Sequence, residues 1–117
     1  MCRIGGGCPQ QAVRRAGFRE QAGRMPLSET VRYFGPICVQ DAKTITVFVQ
    51  NTGQNPLTAY LEVGPDGAVF MEDPQRLEVQ PGEMGAVTPF LFSRYFRVAA
   101  WSAPRGSANI FVQMQNE

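Results

Sequence analysis

Between Thr44 and Gln115 the sequence is cut by Gly, Pro, Asn and Asp residues, and the pieces between the cuts alternate apolar and polar side chains. Such a period of two cannot present one apolar stripe on a helix, whereas it gives a strand one buried and one solvated face. "TITVFVQN" places Ile45, Val47 and Val49 on one face and Thr44, Thr46, Phe48 and Gln50 on the other. "TGQNP" then breaks the pattern, and "LTAYLEV" resumes it through Leu57, Ala59, Leu61 and Val63 until "GPDG", which predicts that the two segments pair as a hairpin. "AVFME", "RLEVQ" ended by Pro81-Gly82, "GAVTPFLF", "RYFRVAAW" and "ANIFVQMQ" follow, and "ETVRYF" and "PICVQD" supply two earlier candidates.

Many short strands at intervals of about 8–12 residues predict an all-β fold, an antiparallel β-sandwich or jelly roll. Pro89 and Pro104 cannot donate to a ladder, so the first is expected at a strand edge or bulge and the second in a loop. At 117 residues the chain has room for one core.

The stretch before these strands differs in character. Residues 1–28 are rich in Gly, Gln and Arg and carry five arginines against Glu20 alone, a net +4, while residues 29–117 sum to −3. The division this suggests is a flexible basic N-terminal connector arm over 1–28 and a β-sandwich domain over 29–117. An arm of that charge is either a solvated tail whose arginines contact nothing in particular or is attracted to the acidic body of a neighbouring copy. It also lacks the apolar run of a secretory signal, so no classical export route is read from it.

The composition removes most enzymatic chemistry. With no histidine there is no imidazole base and no Ser-His or Cys-His pair. Glu72 and Asp73 are adjacent and therefore point to opposite sides of a strand, so "MEDPQ" reads as a solvated turn and not as paired catalytic carboxylates. Cys2, Cys8 and Cys38 offer three soft ligands without a C-x-x-C pair, short of a structural zinc set. "SRYFRVAAW" interleaves Arg94, Arg97, Tyr95, Phe96 and Trp101, but on an acidic body this is core and rim instead of a nucleic-acid groove. No catalytic, cofactor-binding or metal-binding residue is assigned, and no nucleic-acid, membrane or small-molecule partner is expected.

Three cysteines cannot all pair within one chain. They are either reduced thiols, with Cys38 packed as a small hydrophobe, or an arm thiol from Cys2 or Cys8 bridges Cys38 of another copy. An extended residue spans roughly 3.3–3.6 Å, so the arm is long enough to cross a neighbouring domain. Such a head-to-tail contact propagates into a filament unless it closes into a ring. Outward aromatics Phe48, Tyr60 and Phe111, together with Arg14, Arg15 and Arg19, are the candidate subunit contacts.

The layout of Cys2 and Cys8 around the Gly5-Gly6-Gly7 spacer, with Cys38 in the body, resembles the endospore appendage subunits of spore-forming bacteria. That resemblance implies a jelly-roll protomer whose connector forms disulfides with neighbouring subunits. It further implies a homopolymeric helical filament on the cell or spore surface, assembled without a signal peptide. Residues 44–115, through "TVFVQNTGQNPLTAYLEVGPDGAVF" and "FSRYFRVAAW", are similar to an uncharacterised family of clostridial β-sandwich domains. The rival expectation is a carbohydrate- or surface-binding module using Tyr60, Trp101 or Phe111 as an aromatic platform.

Overall fold

The computed structural model describes residues 13–15 and 17–116. Among the described residues nine strands run β1 (Val13–Arg15), β2 (Phe18–Leu27), β3 (Arg32–Cys38), β4 (Thr44–Asn51), β5 (Leu57–Gly64), β6 (Met71–Val79), β7 (Met84–Val87), β8 (Tyr95–Ser102) and β9 (Gly106–Gln115). They form two antiparallel sheets, one ordered β1-β2-β9-β4-β7 and the other β3-β8-β5-β6. This is the jelly-roll-type sandwich that the alternation predicts.

The two inner faces meet in a single apolar core. Val47 and Val49 on β4, Leu57, Ala59 and Leu61 on β5, Phe96 and Val98 on β8, and Ile110 and Val112 on β9 are all buried. Each alternates along its strand with an outward residue, as two stacked sheets require. Met25 and Leu27 of β2 join the same core.

That burial corrects the arm boundary. Phe18–Leu27 is a ten-residue strand paired along its whole length with β9, from Phe18 opposite Gln115 to Leu27 opposite Gly106. The expectation of a loose arm reaching residue 28 fails because Met25 and Leu27 have somewhere to be buried and because the β9 edge needs a partner. The alternation was masked by the other inward positions of β2, which carry Arg19, Gln21 and Gly23.

Three further expectations are revised. Segments 44–51 and 57–64 are strands but not a hairpin: β4 pairs with β7 and β9, β5 pairs with β6 and β8, and "TGQNP" carries the chain from one sheet to the other. "AVFME" and "RLEVQ" are not separate strands, since β6 runs unbroken from Met71 to Val79 with a register shift opposite Tyr60 and Glu62. "GAVTPFLF" is a strand only as far as Val87, and Pro89 lies in the loop that follows. Pro104 lies in the β8–β9 loop as expected.

Candidate assembly interface

One end of the sandwich gathers the β1–β2 turn, the β3–β4 loop, the close of β9 and the start of β8. Here Cys38 closes β3 opposite Tyr95 of β8, and Val39 donates its amide to the Arg94 carbonyl at 2.8 Å. Arg19, one residue into β2, reaches across this end. Its Nη2 donates to the Cys38 carbonyl at 3.2 Å and to Asp41 Oδ1 at 2.9 Å, and it contacts Met114 Sδ at 3.4 Å. The Arg19 side chain is only 12% exposed. Its guanidinium is therefore committed to its own chain, which revises its expected role as a contact to a neighbour.

Cys38 is buried and disulfide-bonded. Cys2 and Cys8, the chain's two other cysteines, lie outside the described residues. Arg14 and Arg15 belong to β1, where the backbone sets them opposite Arg19 and Phe18.

The outward aromatics separate into two groups. Phe48 and Phe111 are direct cross-strand partners, and the same row continues to Ala22 on β2 and Ala86 on β7. This apolar strip crosses four strands. Polar rows border it, Glu20-Gln113-Thr46 on one side and Arg24-Asn109-Gln50 on the other. The polar rows are stitched laterally, with Gln113 donating to Glu20 Oε2 at 3.0 Å and Asn109 donating to Gln50 Oε1 at 3.1 Å.

Tyr60 does not join that strip. It lies on the outer face of the opposite sheet, buried under the Arg76 guanidinium, which stands 4.3 Å from its ring centroid. Burial, followed by the nearby Glu62 charge, pushes its phenol above the ordinary tyrosine range. On the same face Arg97 is held between the rings of Tyr33 and Phe70, 3.8 Å and 4.2 Å from their centroids, and pairs with Glu62 at 2.7 Å. Trp101 is exposed on this sheet, so the aromatic platform expected from Tyr60, Trp101 and Phe111 is divided between opposite sides of the molecule.

Two buried polar residues position the loops. Asn51 donates to the Asn55 and Val79 carbonyls at 2.8 and 2.9 Å and accepts the Gly53 amide at 2.9 Å, which explains the "NTG" turn physically. Asp73 is fully buried, not solvated: its Oδ2 accepts the amides of Phe90 at 2.8 Å and Leu91 at 2.9 Å, and its Oδ1 accepts from Gln75. The solvated-turn reading of "MEDPQ" missed this because a buried carboxylate with backbone donors has no pattern in its own neighbourhood. Among the described residues no cluster of His, Cys, Asp and Glu could hold a metal ion.

Residues 38–116 match the family model described as "Domain of unknown function (DUF6385)". A search of curated proteins returns no match. Among solved structures the fold is similar to that reported under "Bacillus endospore appendages form a novel family of disulfide-linked pili", with TM-score 0.60 and 12% identity over 94% of this chain and 96% of that one. PirA is similar with TM-score 0.56 and 13% identity over 82% and 93% of the two chains. XepA, an exported protein of PBSX, aligns with TM-score 0.61 and 13% identity, covering 83% of this chain but 36% of its own.

Proposed function

Because the chain belongs to the DUF6385 family and shares its sandwich with an appendage pilin over nearly the full length of both, we propose that it is a self-assembling structural subunit of an extracellular, spore-associated filament. The observation that carries this reading is the two-way coverage with a protein described as forming disulfide-linked pili. In this reading the connector is the segment before β2, and on assembly the existing Cys38 disulfide is exchanged, by attack of a thiolate, for one to Cys2 or Cys8 of the next copy. Head-to-tail bridges of that kind extend without limit. The Phe48–Phe111 strip is the proposed lateral contact, since a contiguous apolar row on an outer sheet face gains most by being covered.

Electron microscopy and non-reducing electrophoresis of oxidised protein, with and without reductant, test the proposal. Filaments and a ladder of cross-linked species that disappear in Cys38→Ser are the expected result. Uniform monomers under oxidising conditions would falsify it.

A further inference from the structure

The loop between β7 and β8 is an aromatic ridge. Phe90 and Phe92 are 74% and 85% exposed, yet the backbone beneath them is fixed by the buried Asp73, which accepts the Phe90 and Leu91 amides. A cleft lies on each side. One, of about 240 Å³, runs between the ridge and Val39, Ala42 and Ile45. The other, of about 450 Å³, is lined by Val63, Pro65, Met71, Leu91, Phe92 and Arg94. Met71 at 60% and Val69 at 65% exposure extend the apolar surface outward from the larger cleft.

Five large apolar side chains concentrated at one end, Phe90, Leu91 and Phe92 on the braced ridge with Val69 and Met71 beside it, exceed the scattered exposure normal on a monomer. The charges beside the larger cleft identify what covers it. Arg94 lines the cleft, and Asp66 follows Pro65 in the adjoining turn. Asp66 is engaged only by amides of its own turn, Ala68 at 2.9 Å and Val69 at 3.1 Å. Among the described residues neither Arg94 nor Asp66 has an ion-pair partner. The surface thus carries a knob next to a hole and a cation next to an anion, the pattern of a patch complementary to itself.

We propose that this end binds the same end of a second copy about a two-fold axis, with Phe92 of each copy seated in the larger cleft of the other and Arg94 of each facing Asp66 of the other. A two-fold contact of this kind closes on itself and adds no length to a filament. It goes beyond the filament reading: it uses neither the N-terminal segment nor a thiol, and it joins two filaments, or two free subunits, end against end.

Sedimentation equilibrium of the full chain under reductant, at about 0.15 M ionic strength, tests it. Circular dichroism confirms that each variant is folded. Wild type is expected to dimerise, and Phe92→Ser, whose side chain is the most exposed of the ridge, weakens dimerisation at least about tenfold. Arg94→Asp and Asp66→Arg each weaken it when alone, because each sets like charges face to face. Mixed in equal amounts the two variants recover dimerisation to within about twofold of wild type, since both reciprocal pairs are then Asp against Arg. A control mixture of Arg105→Asp with Glu83→Arg, altered at the far end, shows no gain over either component. No recovery in the first mixture, or unchanged dimerisation of Phe92→Ser, overturns the proposal. So does a wild type that stays monomeric but binds anionic phosphatidylglycerol vesicles through Phe90 and Phe92. A chain lacking Cys2 and Cys8 forfeits the proposed filament but keeps this dimer, so the two proposals fail separately.

Discussion

The Asp73 carboxylate accepts the amide of Phe90 at 2.8 Å, joining the middle of β6 to a loop seventeen residues further along the chain. With the neighbouring Leu91 amide it makes a bracket that sets the height and direction of the exposed ridge. A polar group buried in this way is costly to leave without its partners.

Asp73→Ala is expected to destabilise the fold by about 2–4 kcal/mol, because four donors, the amides of Gln75, Phe90 and Leu91 and the Gln75 side chain, lose their acceptor inside the structure. Asp73→Asn retains an acceptor oxygen and costs about 1–2 kcal/mol. Urea denaturation checks both, and the ridge amides of Phe90 and Leu91 should lose hydrogen-exchange protection first.

Gly64 and Gly82 are expected to respond to alanine for different reasons. A methyl group at Gly64 would collide with the backbone carbonyl of Val69, which cannot step aside, so Gly64→Ala costs about 1–3 kcal/mol. At Gly82 nothing lies within 4 Å, but φ is +80°, so Gly82→Ala carries only the left-handed backbone penalty of about 1 kcal/mol. Thermal denaturation of the pair separates a clash from strain.

Arg97 touches two rings and one carboxylate, and its contributions are separable. Arg97→Lys keeps the charge but not the planar stacking, so it should lose about half of the destabilisation seen in Arg97→Ala. A double-mutant cycle with Tyr33→Leu is expected to give a coupling of about 0.5–1 kcal/mol.

The turn at Asp66 should be sensitive to acid. The amides of Ala68 and Val69 favour the ionised side chain and hold its carboxyl below the usual carboxylate range. A pKa depressed in the folded state means that this support is complete above the unfolded value and is lost as the pH falls through the folded one. The amide resonances of Ala68 and Val69 are expected to titrate together, with a midpoint below that of an unstructured peptide of the same sequence.

The sequence announced the fold most clearly where one face is uniformly apolar. Strand β4 coincides with the alternating "TITVFVQN", and β5 and β8 are nearly as plain, because every inward position meets the opposite sheet. Strand β2 was hidden, since only Met25 and Leu27 of its inward positions are apolar and Gly23 and Pro26 read as breakers. Gly23 is in fact demanded by packing: the ring of Phe34 lies 2.5 Å from where its Cβ would be. "TPFLF" erred in the other direction, as an apolar run suggests a strand unless the distant Asp73 that pins it is known. The Phe48–Phe111 pair could be anticipated face by face, but its register could not, because that depends on which strands become neighbours.

The pairing of β2 with β9 carries a consequence for biosynthesis. Residues 28–105 separate the two strands, so while the polypeptide is being made β2 has beside it only the three-residue β1 among its described neighbours until β9 has left the ribosome. A half-translated chain consequently has no finished five-stranded sheet. If the filament proposal holds, completion of the protomer precedes its incorporation by topology alone.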